Sequence, residues 1–307
     1  SWKSSSYIDS IVHHYCSGRL ALTKEGGLEM KNKKSRKILF YATILLLLAV
    51  NLFPFLIMLM TSFKDSQEAI ATTQTIFPKE WTFEHYQDIF NAEIFPFIMY
   101  FKNSLVISLI ASVTAVVIGI SGAYALSKLR FKARSKINAS FYTVYMFSGI
   151  LIVVPLFKII SGLGLYDTNT ALIITMVVQT LPTAIFMLKS YFDTIPTDIE
   201  EAAMIDGLSR IQIIIRIIIP LAISGIISVF VYCFMVSWND YLFASIFLST
   251  SEKFTLPIGL NTLFSTPDYI WGRMMAASLV TALPVIIMYA LSERFIKGDL
   301  VEGGVKG

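Results

Sequence analysis

Six stretches without a charged side chain dominate this sequence: residues 39–60, 103–127, 138–157, 168–188, 217–239 and 274–292. Each runs 19 to 25 residues. At about 1.5 Å of rise per residue, a helix of that length crosses roughly 30 Å of hydrocarbon. Inside a bilayer every backbone N–H and C=O must be satisfied within the segment, which a helix does. Composition agrees: 55% of residues are hydrophobic and 15% charged, where an ordinary soluble domain carries about 25% charge. The expected fold class is an all-α integral membrane protein with six transmembrane helices and both termini on one side.

The distribution of cations chooses the side. With the N-terminus inside, the inner segments hold 19 of the 25 Lys and Arg. The outer ones hold Lys64, Lys79, Lys102, Lys158, Lys253 and Arg273. The loop carrying Lys128, Arg130, Lys132, Arg134 and Lys136 contains no acid. Both termini are therefore expected in the cytoplasm. Residues 1–29 are polar and lack the apolar region of a signal peptide. Met30 reads as a natural start, with the earlier residues as upstream or added sequence. His13 and His14 in that tail lack the further ligands a metal needs, and no metal site is expected. Cys16 and Cys233 lie in unlike settings and read as neither a disulfide nor metal ligands.

Within the spans, Pro54, Pro155, Pro182 and Pro284 each free a carbonyl and bend a helix. The plain reading is helix shaping; the functional one is a bend that widens a central path. Ala111, Ala115, Gly119 and Ala123 recur at four-residue steps, a spacing that lets helix backbones approach closely. This stripe should face protein, either within the chain or on a partner subunit. Residues 61–101 carry Trp81, Tyr86, Phe90 and Phe95 among acids such as Glu84 and Asp88. They read as a short amphipathic helix lying at the outer surface, either capping a pore or touching an external partner. The second outer loop, 248–272, is too long for a minimal turn. No internal repeat is evident.

The polar segment between the fourth and fifth spans is the most distinctive. Pro196-Thr197-Asp198-Ile199-Glu200 starts a helix, with Thr197 and Glu200 at capping-box spacing. Asp198, Glu200 and Glu201 suit the positive end of the helix dipole. Ala202 and Ala203 are small enough for another protein's surface to approach the backbone. Gly207 can take the left-handed conformation that ends a helix. Ser209 can then cap a second helix running into Ile217 and Pro220. By capping residues alone this could be an ordinary linker between two spans.

The order Glu201, Ala202, Ala203, Gly207, Ile217 and Pro220, with Ile219 in place of the usual leucine, resembles the "EAA" loop of permease subunits of bacterial ATP-driven (ABC) importers. Further stretches resemble, more narrowly, the carbohydrate-import permeases of the MalG type. They are Asn103-Ser104-Leu105, Ala123-Tyr124-Ala125-Leu126-Ser127, Gly162-Leu163-Gly164-Leu165-Tyr166-Asp167-Thr168, Ser237-Trp238-Asn239-Asp240-Tyr241-Leu242, Thr255-Leu256-Pro257-Ile258-Gly259-Leu260 and the terminal Gly303-Gly304-Val305-Lys306-Gly307. The resemblance covers residues 37–307. The acidic Asp299-Leu300-Val301-Glu302 departs from more neutral relatives.

The resemblance implies a type I importer permease fold in a bacterial inner membrane, with Glu200, Glu201, Ala202, Ala203, Asp206, Gly207 and Pro220 coupling it to an ATPase. Residues 1–36 would be a cytoplasmic tail, 37–296 the six-helix permease domain and 297–307 a second cytoplasmic tail. In that second tail, Gly303, Gly304, Val305 and Lys306 would touch the ATPase. The implied partners are a second, homologous permease subunit (a heterodimer), two copies of the ATPase subunit and an extracytoplasmic solute-binding protein; no nucleic acid is implied. The chain would carry no cofactor. ATP and Mg would be bound by the ATPase, and Lys3-Ser4, Lys34-Ser35 and Lys189-Ser190 here lack the glycines of a nucleotide-binding loop. The implied substrate is a sugar, most simply an oligosaccharide. Acidic oligosaccharides such as alginate fragments, polyols and sugar phosphates stay open.

A sugar path wants aromatic faces and hydrogen-bonding groups. Tyr142, Tyr145 and Asn138 in the third span qualify, as do Gln179 and Thr180 in the fourth, and Tyr232, Ser237, Asn239 and Asp240 in the fifth. For the aromatics, packing or interfacial anchoring is the competing role. Asp240 either lines the path or caps a neighbouring helix. Two other classes compete with the importer. An ion-coupled carrier predicts paired charges inside the spans, which these stretches lack. A membrane enzyme predicts a His, Asp or Glu cluster at membrane depth, whereas His13, His14 and His85 all lie outside the spans.

Overall fold

The computed structural model describes residues 36–303 apart from 70, 72–74, 147–148 and 265–269, and not the side chains of 142–146 and 295–303. The upstream residues 1–29 fall outside this range. Among the described residues all regular structure is helical. Helix α1, Arg36–Thr61, covers the first uncharged stretch, and none of its apolar window is buried. The chain divides into two units, one ending at Leu59 and the other beginning at Met60. The second unit contains α2 (Ser66–Ala69), α3 (Glu84–Phe90), α4 (Phe97–Lys128), α5 (Arg134–Met146), α6 (Gly149–Gly162) and α7 (Asn169–Asp193). There follow α8 (Thr197–Ile205), α9 (Arg210–Leu221), α10 (Ile223–Trp238), α11 (Leu242–Phe247), α12 (Leu256–Phe264) and α13 (Trp271–Gly303).

By length and apolarity α1, α4, α7 and α13 each suffice to cross a membrane. Of the other two expected spans, the third is described as α5 and α6 on either side of residues 147–148, and α6 is a short apolar helix. The fifth is not one helix over 217–239: its first residues belong to α9, which meets α10 at 84°. Pro220 has no N–H to donate. Just before it the Ile219 N–H reaches back five residues to the Ile214 carbonyl, so 214–218 form a π-turn. Ala222 then leaves helical geometry, at φ −106° and ψ 17°, and the chain turns. In contrast, α6, α7 and α13 run through Pro155, Pro182 and Pro284.

The α4–α7 seam is the spine of the bundle. The small-residue stripe faces it: Ala111, Ala115 and Ala123 are fully buried. A Cβ placed on Gly119 would lie 3.1 Å from Leu188 Cδ1 and 3.6 Å from Ala184 Cβ. Lipid tails are as apolar as leucine, so helices in a bilayer gain by close packing and not by leaving water. The stripe therefore packs within the chain. Helix α10 joins the seam at the bend, where Gly225 lies under the Tyr191 ring.

At the end opposite the basic loop, short side chains tie loops to helices. Asn103 Nδ2 donates to the Glu252 and Phe254 carbonyls at 2.8 and 3.0 Å, and Ser104 Oγ accepts from the Leu256 N–H at 2.7 Å. Asp167 adopts φ 57°, a conformation uncommon outside glycine. Its carboxylate accepts from the Ser249 and Thr250 N–H groups, the Thr250 hydroxyl and Lys253 Nζ. These donors, the Thr250 hydroxyl foremost, hold the Asp167 carboxyl well below its ordinary value near 3.8.

The segment after α1 differs from the surface-lying helix expected of it. Helix α3 packs on α13 through an Arg273–Asp88 bridge of 2.6 Å. His85 is fully buried above Gly272, with Nε2 2.8 Å from the Lys64 carbonyl. Lys64 is itself buried, its ammonium donating to the Thr75 carbonyl. Of the aromatic residues in this segment, Phe95 is buried and Tyr86 bonds to Ser62 at 2.9 Å, while Trp81 and Phe90 stay exposed.

Two outcomes test this packing. Gly119→Leu overfills the seam and should destabilise the protein by about 1–3 kcal/mol, whereas Gly162→Ala, which meets nothing within 4 Å, should leave the thermal midpoint in detergent unchanged. Because the Asp167 pKa is depressed on folding, its contribution is present above the ordinary carboxylate range and lost as pH falls through it. The midpoint difference between wild type and Asp167→Asn should thus be full at neutral pH and shrink progressively below about pH 4.

Candidate functional site

Helix α8 is short, and its two ends are built differently. The expected capping box at its start does not form. Pro196 occupies the N-cap with no side-chain hydrogen bond, and Thr197 is already the first helical residue. Glu200 instead turns inward and is buried. Its Oε1 lies 3.4 Å from Lys128 Nζ, and its Oε2 accepts from the Tyr124 hydroxyl at 3.2 Å. A charge-assisted contact in a dry site outweighs a solvent-exposed cap, which contributes about 1 kcal/mol.

The other end matches the sequence reading. Gly207 has φ 84°, where a side chain would be strained. The Leu208 N–H donates to the Ala203 carbonyl at 3.0 Å and the Gly207 N–H to that of Met204 at 3.1 Å. This pair of bonds is the Schellman ending, which satisfies carbonyls that a helix end leaves open. Ser209 then caps α9: its Oγ accepts from the Gln212 N–H, while Gln212 Oε1 accepts from the Ser209 N–H at 2.8 Å.

The segment is joined to the bundle on one face only. Ala203, Ile213, Ile218 and Ala222 belong to the same core as Ala123 and Tyr124 of α4, Leu188 and Phe192 of α7, and Val229 and Cys233 of α10. The opposite face is open. Glu201, Ala202, Asp206 and Gly207 are exposed, Met204 and Ile205 are 40% and 86% exposed, and Pro220 is exposed on α9. Beside α8 lies a cleft of about 630 Å³ lined by Lys128, Arg130, Arg210, Glu200 and Glu201. The basic loop next to it is held by Arg134. Its guanidinium donates to the Leu126 and Ser127 carbonyls at 2.7 and 2.8 Å and so completes the end of α4.

The residues read as lining a path separate into two groups. Asn239 donates to the Met235 carbonyl at 2.9 Å, and Asp240 Oδ2 accepts from the Ala244 N–H at 3.0 Å, capping α11. Thr180 bonds to its own helix at Met176, and Tyr232 packs against the core shared by α4, α7 and α10. Gln179 Oε1 and Ser237 Oγ, by contrast, are buried with no hydrogen-bond partner among the described residues, and Gln179 lies against Gly149. Asn138 is half-buried. The side chains of Tyr142 and Tyr145, and the tail residues Gly304, Val305 and Lys306, lie outside the described residues; Gly303 ends α13. The bend at Ala222 and the Lys128–Glu200 pair escaped the sequence reading. Pro220 followed by Ala222 and Gly225 was the available signal for the bend.

A bundle of apolar helices with a rigid, one-sided polar elbow beside a basic loop is the architecture of an importer permease. Residues 115–298 match the family described as "Binding-protein-dependent transport system inner membrane component". The chain belongs to this family: it is a membrane-embedded transport subunit and not an enzyme. That sets aside the ion-coupled carrier and the membrane enzyme.

It is 73% identical over 277 residues to the inner membrane ABC transporter permease protein YcjP of Escherichia coli K12, covering 90% of this chain and 99% of that protein. It is 33% identical to the trehalose/maltose transport system permease protein MalG of Thermococcus litoralis, covering 91% of this chain and 100% of that protein. Among solved structures, it resembles a chain of a bacterial ABC transporter involved in import of the acidic polysaccharide alginate. The TM-score is 0.69 at 22% identity, covering 96% of this chain and 98% of that one.

Proposed function

We propose that this permease is half of the translocation path of an ATP-driven importer of sugars, and that α8 with α9 receives the motion of a separate ATPase subunit. The observation that carries this reading is the one-sided seating of the elbow. A nine-residue helix with an exposed Glu201-Ala202 face is built rigidly into the core of α4, α7 and α10. A surface gripping the open face would move the helices behind it. Two states favoured differently by ATP would then open the path to one side or the other.

In this reading α1 to α13 make up a six-crossing permease domain at 37–296, with both termini in the cytoplasm, as the cation bias argues. The residues meeting the ATPase are Glu201, Ala202, Asp206, Gly207 and Pro220, joined by the tail from Gly303 to Lys306, while Glu200 and Ala203, expected in the same coupling set, turn inward and seat α8 on the bundle. ATP and Mg are bound by the ATPase pair. A second permease and an extracytoplasmic binding protein complete the assembly. Relatives named for trehalose/maltose, diacetylchitobiose and sulfoquinovosyl glycerol transport support a sugar or glycoside as substrate. Within this chain Gln179 and Ser237 are the path residues favoured, because their buried polar atoms have no partner among the described residues.

The test is reconstitution with the ATPase, partner permease and binding protein, scored by ATPase stimulation across a panel of sugars. Stimulation by a sugar is the expected result, and transport that persists with the ATPase omitted would contradict the reading. Gly207→Pro, which cannot adopt φ 84°, and Glu201→Lys should each lower sugar moved per ATP at least about tenfold, equivalent to about 1.4 kcal/mol of coupling, while the protein still inserts in the membrane.

A further inference from the structure

Tyr124, Lys128 and Glu200 form a buried polar joint between α8 and the end of α4. The side chains of Lys128 and Glu200 are 4% and 6% exposed. Lys128 Nζ contacts Glu200 Oε1 and also donates to the Ile195 carbonyl at 2.5 Å, in the turn that leads from α7 to α8. Glu200 Oε2 accepts a hydrogen bond from the Tyr124 hydroxyl at 3.2 Å. One lysine thus bonds the helix that carries it to both the turn and α8, and one tyrosine bridges α8 to α4.

A buried ion pair is a weak source of stability, since desolvating two charges cancels much of their attraction. What it supplies is geometry. Apart from Glu200, the buried contact of α8 with the bundle is Ala203, a methyl group that fixes neither rotation nor register. Helix α4, by contrast, runs 32 residues, from Phe97 to Lys128, and packs on α7, α10 and α12. Among the described residues, this joint is the polar link that ties α8 directly to α4.

We infer that Lys128 and Tyr124 are positioning residues for transport: through Glu200 they lock α8 to α4, so that the elbow and the long helix turn as one body. This rests on the reading of α8 as the ATPase-docking element. The test uses the full complex, with spin labels on Cys replacing exposed Asp198 of α8 and exposed Val117 of α4, in a Cys16→Ser background. The distance distribution is compared without nucleotide and with ATP trapped by vanadate. In the wild-type background a single narrow distribution, unchanged by the trap, is expected.

Lys128→Met should broaden or split that distribution in the trapped state, and Lys128→Arg, which keeps the charge, should restore it. Should Lys128→Met fail to assemble, the apolar pair Lys128→Met with Glu200→Met supplies the test: it removes the unpaired buried charge and the joint together, and should show the same broadening. A narrow, unchanged distribution in either Met variant overturns the inference. Failure of the underlying reading is separate, and shows as an Ala202→Cys thiol that stays open to reagent in the assembled complex.

Discussion

The close packing of α4 on α7 is the constraint on which the rest of this molecule depends. Among apolar helices in an apolar solvent, only contact distance separates a specific arrangement from a loose one. Ala115, Gly119 and Ala123 remove the side-chain bulk that would hold the two backbones apart. Once the seam is set, the ends follow. Ser127 Oγ donates to Asp193 at 2.6 Å, the end of α4 lies beside the turn at Ile195, and α8 lands on Lys128. At the other end the same seam brings Asn103 and Ser104 to the loop before α12. Loosening it by one methylene would shift both ends at once.

Built on that seam, the elbow from α8 to α9 has the properties of a lever. It is short, and it is terminated by backbone bonds at Gly207 and by a reciprocal cap at Ser209. It is fused to three long helices through Ala203, Ile213, Ile218 and Ala222. The 84° bend at Ala222 lets α9 leave the direction of α10 and present α8 at the basic end of the bundle. Packed interfaces tend to have discrete arrangements and deform little between them. In the proposed reading, a rigid elbow fixed to such a bundle converts a push at one end into a choice between two packings.

Much of this was legible in the sequence, for identifiable reasons. Charge exclusion over 19 to 25 residues is a property of the solvent, so the long helices stood out without knowledge of contacts. Gly207 and Ser209 were legible because their roles are local, set by φ and by a partner three residues away. Glu200 was not. Its spacing from Thr197 suits a cap, but a lysine distant in the chain claims its carboxylate, and tertiary contact overrides local preference. The break at Ala222 was hidden for a similar reason: apolarity continues through it, and hydropathy registers composition but not direction. Residues 61–101 looked amphipathic because aromatic residues stand among acids such as Glu84 and Asp88, yet Asp88 is bridged to Arg273 of α13, and His85 and Lys64 are buried with partners. The family motifs that ring the opposite end, among them Asp167 and Asp240, prove to be loop clamps and helix caps.

The central claim, that the open face of α8 is gripped by a separate ATPase, is most directly tested by thiol protection. A cysteine replacing Ala202, in membranes carrying this permease with its partner permease, is titrated with a bulky maleimide before and after the ATPase subunit is added. Labelling should fall sharply on assembly and change again when ATP is trapped. Labelling that is equally fast with and without the ATPase, in every nucleotide state, would contradict the account.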